Sequence, residues 1–276
     1  MTIVSIGPVT RDIIIRKDGK KSKTGGAVYF QSFVFEEFFP DYLIITNCGD
    51  ACLINDFPDK SKVKLIRKDK THFFVNDYPN NDDFRIQSSN FAEIPIVKSD
   101  LKNLLPENID ALIINPLNAF DFPKKTIDYL KSFDVPIYMS LQGFLRYPGE
   151  KTDGNYSIRL ELTPDVREII DDIDGLFLDE REALILFEDN DYKDFNINEI
   201  IITDGSNGSR VISDREYKIK AVKNDNVIDS TGCGDTYMAA YISKKLTTES
   251  ILKSADFASK IASDKLSFFG PFKSNI

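Results

Sequence analysis

Between Val227 and Thr236 the chain reads VIDSTGCGDT, with two glycines around a cysteine directly before an aspartate. The stretch passes from a strand-like end through small residues into the run YMAAYI, the pattern of a turn that opens a helix. Gly232 and Gly234 permit unusual dihedrals and leave no side chain in the way of a close ligand. The first N–H groups of a helix lack internal partners. Together with the helix dipole they suit a phosphate-like anion. Asp235, in the first turn, would repel that anion, so its presence needs a reason. Capture of a proton from a hydroxyl, while the bare N–H groups hold the charge of a phosphoryl group, supplies one. The same string also reads as an ordinary helix start, with aspartate in its favoured first turn and glycines in a tight turn.

Composition removes several other chemistries. The single histidine, His72, leaves no multi-histidine zinc site and makes a Ser-His-Asp triad a poor reading. Cys48, Cys52 and Cys233 are odd in number and form no C-x-x-C pair, which points to reduced thiols rather than disulfides. The 35 Lys+Arg against 44 Asp+Glu give −9, contrary to the basic face of a nucleic-acid binder. A small anionic ligand stays compatible, because local dipoles override net charge. No secretory signal or membrane-length apolar run is evident, so a cytoplasmic protein without a membrane partner is expected.

With 276 residues, 42% of them apolar, the chain has the length of one large α/β domain. Short apolar runs at Ile3–Gly7, Leu43–Thr46, Ala111–Ile114, Ile137–Ser140, Leu176–Leu178 and Ile200–Thr203 predict buried parallel strands. Helical periodicity predicts helices over Ala27–Phe38, Lys124–Phe133, Pro164–Asp171, Glu180–Phe187, Cys233–Leu246 and Ser250–Leu266. Two regions break the alternation. DIIIRK at 12–17 precedes the turn Asp18-Gly19, and residues 63–89 contain VKLIRK, THFFVND and DFRIQSS around Tyr78-Pro79-Asn80-Asn81. These predict antiparallel strands of a small inserted sheet, 10–24 with 63–90, placed as a lid over a cleft. Exposed edges of such strands can pair two copies, so a homodimer through them is an expectation as well.

The string D-S-T-G-C-G-D-T-Y-M-A-A at 229–240 resembles the C-terminal signature of the ribokinase-like PfkB family of carbohydrate kinases, D-T-x-G-A-G-D before a small-residue helix. The resemblance implies one three-layer α/β domain over 1–276 with a mainly parallel sheet and a β lid. It makes Asp235 the catalytic base and Gly232, Cys233 and Gly234 the anion hole, with Thr231 beside the cofactor. Gly25-Gly26-Ala27 matches the family's Gly-Gly pair near the sugar site, and Asp12 matches a carboxylate that contacts sugar hydroxyls. The family's Asn a few residues later is replaced by Val28, Tyr29 and Phe30. Asn47-Cys48-Gly49-Asp50 resembles the Gly-Asp after the second core strand.

Thr203, Asp204, Gly205 and Gly208 fall in a T-x-G-x-x-G loop similar to the one that holds ATP. Leu178-Asp179-Glu180-Arg181-Glu182 resembles Asn-x-x-Glu, which implies Mg²⁺ held by Glu182 through water, with Asp179 in the Asn position. Gly270-Pro271 resembles a closing loop near the adenine pocket. Asn115, Gln142 and Arg146 each follow an apparent strand, where open α/β sheets bind ligands. The expected function is therefore ATP-dependent, Mg²⁺-assisted transfer of the γ-phosphate to a hydroxyl of a small sugar or polyol, inositol included. The apolar Val28-Tyr29-Phe30 stretch keeps a nucleoside acceptor open, since aromatic faces can stack on a base, and a non-catalytic nucleotide or sugar sensor is the alternative of a different class. A dinucleotide-dependent dehydrogenase is weakened because no G-x-G-x-x-G follows the first strand.

Overall fold

The computed structural model describes residues 2–17, 19–79, 86–187 and 192–274. Asp18, Asn80 and Asn81, named in the expected turns, lie outside the described residues.

A nine-stranded sheet forms the centre. Its members are β1 (Ile3–Ile6), β4 (Tyr42–Cys48), β5 (Val63–Arg67), β8 (Ala111–Ile114), β9 (Ile137–Ser140), β12 (Ile173–Asp179), β13 (Ile197–Thr203), β14 (Ser209–Ile212) and β15 (Glu216–Ile219). The spatial order is β15-β14-β13-β12-β9-β8-β1-β4-β5, parallel from β5 to β13 and antiparallel at the β14 and β15 end. A second sheet takes β2 (Thr10–Arg16), β3 (Gly19–Gly25), β6 (His72–Asp77), β7 (Ile86–Ser89), β10 (Arg146–Thr152) and β11 (Asn155–Leu160), in the order β10-β11-β7-β6-β2-β3. The helices are α1 (Ala27–Phe38), α2 (Lys98–Leu101), α3 (Lys124–Lys131), α4 (Pro164–Ile170), α5 (Glu180–Leu186), α6 (Cys233–Thr248) and α7 (Ile251–Leu266).

The strands are apolar throughout because both faces are covered, and successive side chains go to opposite cores. Ile3, Ala111 and Ile113 pack with Phe35 of α1, Tyr241 of α6 and Ala258 of α7. Val4, Leu112 and Ile114 pack with Ile127 and Leu130 of α3, Ile170 of α4 and Leu186 of α5. This is the three-layer α/β arrangement expected. Among the described residues no helix is long and apolar enough to cross a membrane.

The second sheet corrects three expectations. VKLIRK belongs to the central sheet, as edge strand β5, and runs parallel to β4 with Ile44 opposite Val63. Two short 3-10 turns, Ala51–Asp56 and Lys60–Lys62, return the chain in the same direction, and the edge position accommodates Lys64 and Arg67. Within the second sheet β6 pairs in parallel with β2, with His72 opposite Thr10, while β7 pairs antiparallel to β6. The hairpin β10–β11, missed in the sequence, turns on Asp153 and Gly154, both at positive φ (50° and 86°). An Asp-Gly pair between strand-like runs is the strongest short hairpin signal available. Both outer strands of this sheet are blunted, β3 by Lys20, Lys21 and Lys23 and β10 by Pro148 and a register shift before Lys151. Those edges are poor surfaces for the dimer expected through these strands.

Asn115, at the end of β8, does not reach a ligand cavity. It is buried, and its amide exchanges hydrogen bonds with Ser5 Oγ (3.0 Å) and with both polar atoms of the Gln31 amide (2.8 and 3.1 Å). The triad ties β1, α1 and β8 at one point. Asn115→Ala should therefore lower unfolding stability by about 1–3 kcal/mol, because Gln31 loses partners in a dry site. Urea unfolding reads the difference.

Candidate active site

Two cavities meet at the amino end of α6. The first, of about 580 Å³, is walled by Asp12, Arg16, Phe74, Asn76, Gln87 and Arg146 of the second sheet and by Gln142 and residues 227–235 of the core. The second, of about 490 Å³, lies under Thr203, Gly205, Ser206 and Gly208 and against Val222, Tyr237, Ala262 and Leu266. Val227, Ser230, Cys233 and Gly234 line both, so the glycine turn is the partition between them.

Local backbone chemistry makes that partition. Gly232 caps α6 at φ 78°, ψ 10°, a left-handed geometry that glycine adopts without strain. A Cβ there would also lie 2.3 Å from the Phe30 ring, so the turn rests on α1 with no room to spare. The amide of Cys233 donates to the Ser230 carbonyl (3.2 Å), and that of Thr236 to Gly232 (2.9 Å). Among the described residues no acceptor meets the amides of Gly232, Gly234 and Asp235. Of the expected Gly232, Cys233 and Gly234, only the Cys233 amide is taken up by the turn itself.

Asp235 lines the first cavity, as do Asp12 and Arg146. Burial pushes its carboxyl up to about 6, with Asp12 adding to the rise while Arg146 and Lys265 counter it. That value suits a base working near neutrality. Asp12 is held by Thr10, whose hydroxyl donates to Oδ1 at 2.8 Å. A Cβ on Gly25 would come 2.4 Å from Asp12 Oδ2, so Gly25 makes room for that carboxylate. Gly26 caps α1 and lines the same cavity. The Arg146 guanidinium stands over the Phe74 ring at 5.8 Å. In this cavity the structure brings together Asp12, Gly26, Gln142, Arg146, Thr231, Gly232, Cys233, Gly234 and Asp235, and in the other Thr203, Gly205 and Gly208.

Other expected residues serve locally. Asp204 accepts from Asn207 Nδ2 (2.9 Å) and lines neither cavity. Asp50 pairs with Arg11 and caps a 3-10 turn through Cys52 N (3.0 Å). Asp179 and Glu182 form a reciprocal capping box at the start of α5, Glu182 N to Asp179 Oδ1 (2.8 Å) and Asp179 N to Glu182 Oε2 (2.9 Å). Burial, then the Asp179 charge, pushes the Glu182 carboxyl up to about 7, and Gln142 hydrogen-bonds it from the first cavity's wall. Among the described residues no group of three or more His, Cys, Asp or Glu is arranged to hold a metal. A hydrated Mg²⁺ shared with phosphates needs no such cage. The buried Glu182 carboxylate, hydrogen-bonded by Gln142 of the first cavity, fits an ion held through water.

Tyr29 and Phe30 are packing residues before anything else. Tyr29 meets Phe30, Phe33 and Phe57 edge-on at 5.3–5.5 Å, and Phe30 is 2% exposed beneath Gly232. Sequence reasoning missed Arg16, Asn76, Gln87 and Arg181 in the first cavity, since separate segments converge there only through tertiary folding. It also missed Asp229 as an organising centre. Against the upward push of burial, Lys23, the Gly270 amide, Lys265 and the Thr231 amide pull its carboxyl down to about 2.

Residues 141–271 match the model of the pfkB family carbohydrate kinase. A nucleoside kinase of Methanocaldococcus jannaschii is 37% identical over 82 residues, a stretch covering 28% of this chain and 27% of that relative. Likeness in three dimensions spans nearly everything. A pyrophosphate-dependent kinase in the ribokinase family, complexed with a pyrophosphate analog and myo-inositol, superposes with TM-score 0.80 at 24% identity, covering 98% of this chain and 97% of that one. The M. jannaschii nucleoside kinase structure gives 0.72 at 19% identity over 98% and 92% of the two chains. Arabidopsis thaliana ribokinase complexed with ribose and ATP gives 0.69 at 17% over 98% and 93%. The fold is that of the ribokinase-like kinases. The family match covers residues 141–271, and the likeness in fold to ribokinase-family kinases extends over the rest of the chain.

Two substitutions test the geometry of the turn. Asp235 has a folded pKa of about 6, above the usual carboxylate value near 3.9. Its stability contribution is thus present at low pH and lost as pH rises through about 6. Asp235→Asn should consequently be more stable than the parent at neutral pH, by about 1–2 kcal/mol, and the gain should vanish toward pH ~4, below the folded pKa. Gly232→Ala should destabilise by roughly 1–3 kcal/mol through left-handed strain and the clash with Phe30. Denaturant titrations across pH read both.

Proposed function

We propose that the protein is an ATP-dependent kinase that transfers the γ-phosphate to a hydroxyl of a small sugar or polyol. The observation that carries this is the position of Asp235 and the bare amides of Gly234 and Asp235 on the partition between a polar cavity and a more apolar one. The polar cavity presents Asp12, Asn76, Gln87, Gln142 and Arg146, groups that suit several hydroxyls. The apolar one, beneath the Thr203–Gly208 loop, suits a nucleobase and ribose behind the transferred phosphoryl group.

In this reading the acceptor hydroxyl lies between Asp12 and Asp235. Its oxygen attacks the γ-phosphorus, its proton passes to the Asp235 carboxylate, and the bond to the ADP oxygen breaks. The Gly234 and Asp235 amides, at the positive end of a 16-residue helix, hold the charge on the phosphoryl oxygens. Arg146, which lines the same cavity as Asp235, adds positive charge and favours the ionised form of that carboxyl. Glu182 would hold Mg²⁺ through water, and the ion would supply charge neutralisation between ATP phosphates. The second sheet, carrying Asp12, Asn76 and Gln87, would act as the lid that keeps bulk water from the phosphoryl group.

The similar structures widen two choices. One is a pyrophosphate-dependent kinase complexed with myo-inositol, which makes inositol a leading polyol to test. Its donor contrasts with the presence here of an apolar cavity of nucleoside size, which favours ATP. The other is a nucleoside kinase, and Phe30, Phe74 and Tyr78 in the first cavity give a base something to stack on.

A panel of sugars, inositols and nucleosides, each with ATP or pyrophosphate, should give product with ATP and a polyhydroxylated acceptor. Asp235→Asn should lose about 10² to 10⁴ in kcat on that acceptor. The parent kcat/KM should fall as pH drops through about 6, where Asp235 takes up its proton. Cys233→Ala should keep near-parental kcat, since burial pushes its thiol up to about 11 and the backbone does the binding. Tight ATP binding with no product across the panel would replace the kinase by a sensor.

A further inference from the structure

Among the described residues Lys265 is the only lysine or arginine in the buried class, and its side chain is completely enclosed. It sits in the last turn of α7, on the stripe that begins with Ala255, Ala258 and Ile261, where helical spacing calls for an apolar residue. A buried ammonium is costly unless partners hold it. Its Nζ donates to the carbonyl oxygen of Asp229 at 2.6 Å and stands 3.9 Å from Asp229 Oδ2. Lys23 of β3 approaches the same oxygen at 3.3 Å, the Gly270 amide donates to it at 3.1 Å, and the Thr231 amide donates to Oδ1 at 2.9 Å. The Ile228 amide in turn donates to the Leu266 carbonyl (2.8 Å). Burial pushes the Lys265 ammonium below the usual lysine range while Cys233, Asp229 and Asp235 counter it, and through its contact with Asp229 the side chain fixes the backbone three residues before Gly232. Lys265 lines neither cavity, so it touches neither substrate.

We propose that Lys265 is a resident cation of the phosphoryl-transfer site, a positioning residue that locks the 229–232 segment and supplies the positive charge behind the partition, so that no monovalent ion from solution is needed there. The inference rests on the kinase reading of Asp235. Two features support it. The ammonium makes the contact a small bound cation would make, to a main-chain carbonyl with a carboxylate alongside. Its charge also reaches Asp235, whose ionised form it favours, and Cys233, whose thiolate it favours against burial.

The parent enzyme supplies the first test, free of any folding problem. In tetramethylammonium buffer, turnover should be within about twofold of that with added potassium or ammonium. Stimulation by about tenfold or more overturns the proposal, because one kcal/mol-scale contact would then be missing from the fold. Lys265→Met should lower kcat on the order of tenfold to a hundredfold with acceptor KM little changed. It should also move the acid limb of kcat/KM to higher pH, since removing a cation raises the Asp235 pKa. Lys265→Ala leaves space for a replacement, so ammonium or methylammonium should restore part of its kcat, while Lys265→Met should not respond. Parental kcat with an unmoved acid limb in Lys265→Met refutes the role. Calorimetry with ATP separates the two levels. If the parent turns over no acceptor, the kinase reading fails, whereas weakened ATP binding in Lys265→Ala, restored by ammonium, still upholds the cation's part in shaping the anion corner.

Discussion

The arrangement depends on one backbone constraint, the left-handed turn at Gly232 pressed onto the ring of Phe30. With a side chain there the chain could not enter α6 at this angle. Because it does, the first amides of a long helix open onto the partition between two cavities, and Asp235, in the helix's first turn, lines the polar one. The sheet and its two cores supply the rigidity that keeps the turn in place. Phe30 is fixed by Tyr29, and α1, α6 and α7 share one continuous core.

Around that turn three carboxylates are driven apart by their surroundings. Asp229 is pulled down to about 2 by two lysines and two amides, in spite of its burial. Asp235 and Glu182 rise to about 6 and about 7, for want of enough compensating charge. Divergence of neighbouring acids is the usual way one site assigns anchoring and proton transfer to similar groups. A net charge of −9 says nothing about this, because cations collect locally at Lys23, Arg146, Arg181 and Lys265.

Much of this was legible beforehand. Helix α1 has the predicted bounds, Ala27–Phe38, because an apolar face follows a glycine pair. The six predicted core strands all lie in the central sheet, since doubly buried strands read as unbroken apolar runs. Periodicity reports which faces are buried, however, and not which strand lies alongside. VKLIRK could therefore be read as a strand and still be assigned to the wrong sheet. Asn115 follows a strand end, as a ligand contact would, yet its amide closes a core network whose other members are distant in sequence. Lys265 did leave a trace, a lysine on the buried stripe of α7, but a charge in an amphipathic helix usually lies on its solvent side.

The division of labour along the chain has an evolutionary corollary. Residues 10–87 furnish most of the second-sheet wall of the polar cavity, while residues 203–266 build the apolar one, and the partition belongs to the latter stretch. Under the proposed function, exchanging a handful of N-terminal side chains would retune which alcohol is welcomed without touching the residues proposed to handle the phosphoryl group. Acceptor choice and phosphoryl chemistry would then be separable by substitution within a single chain.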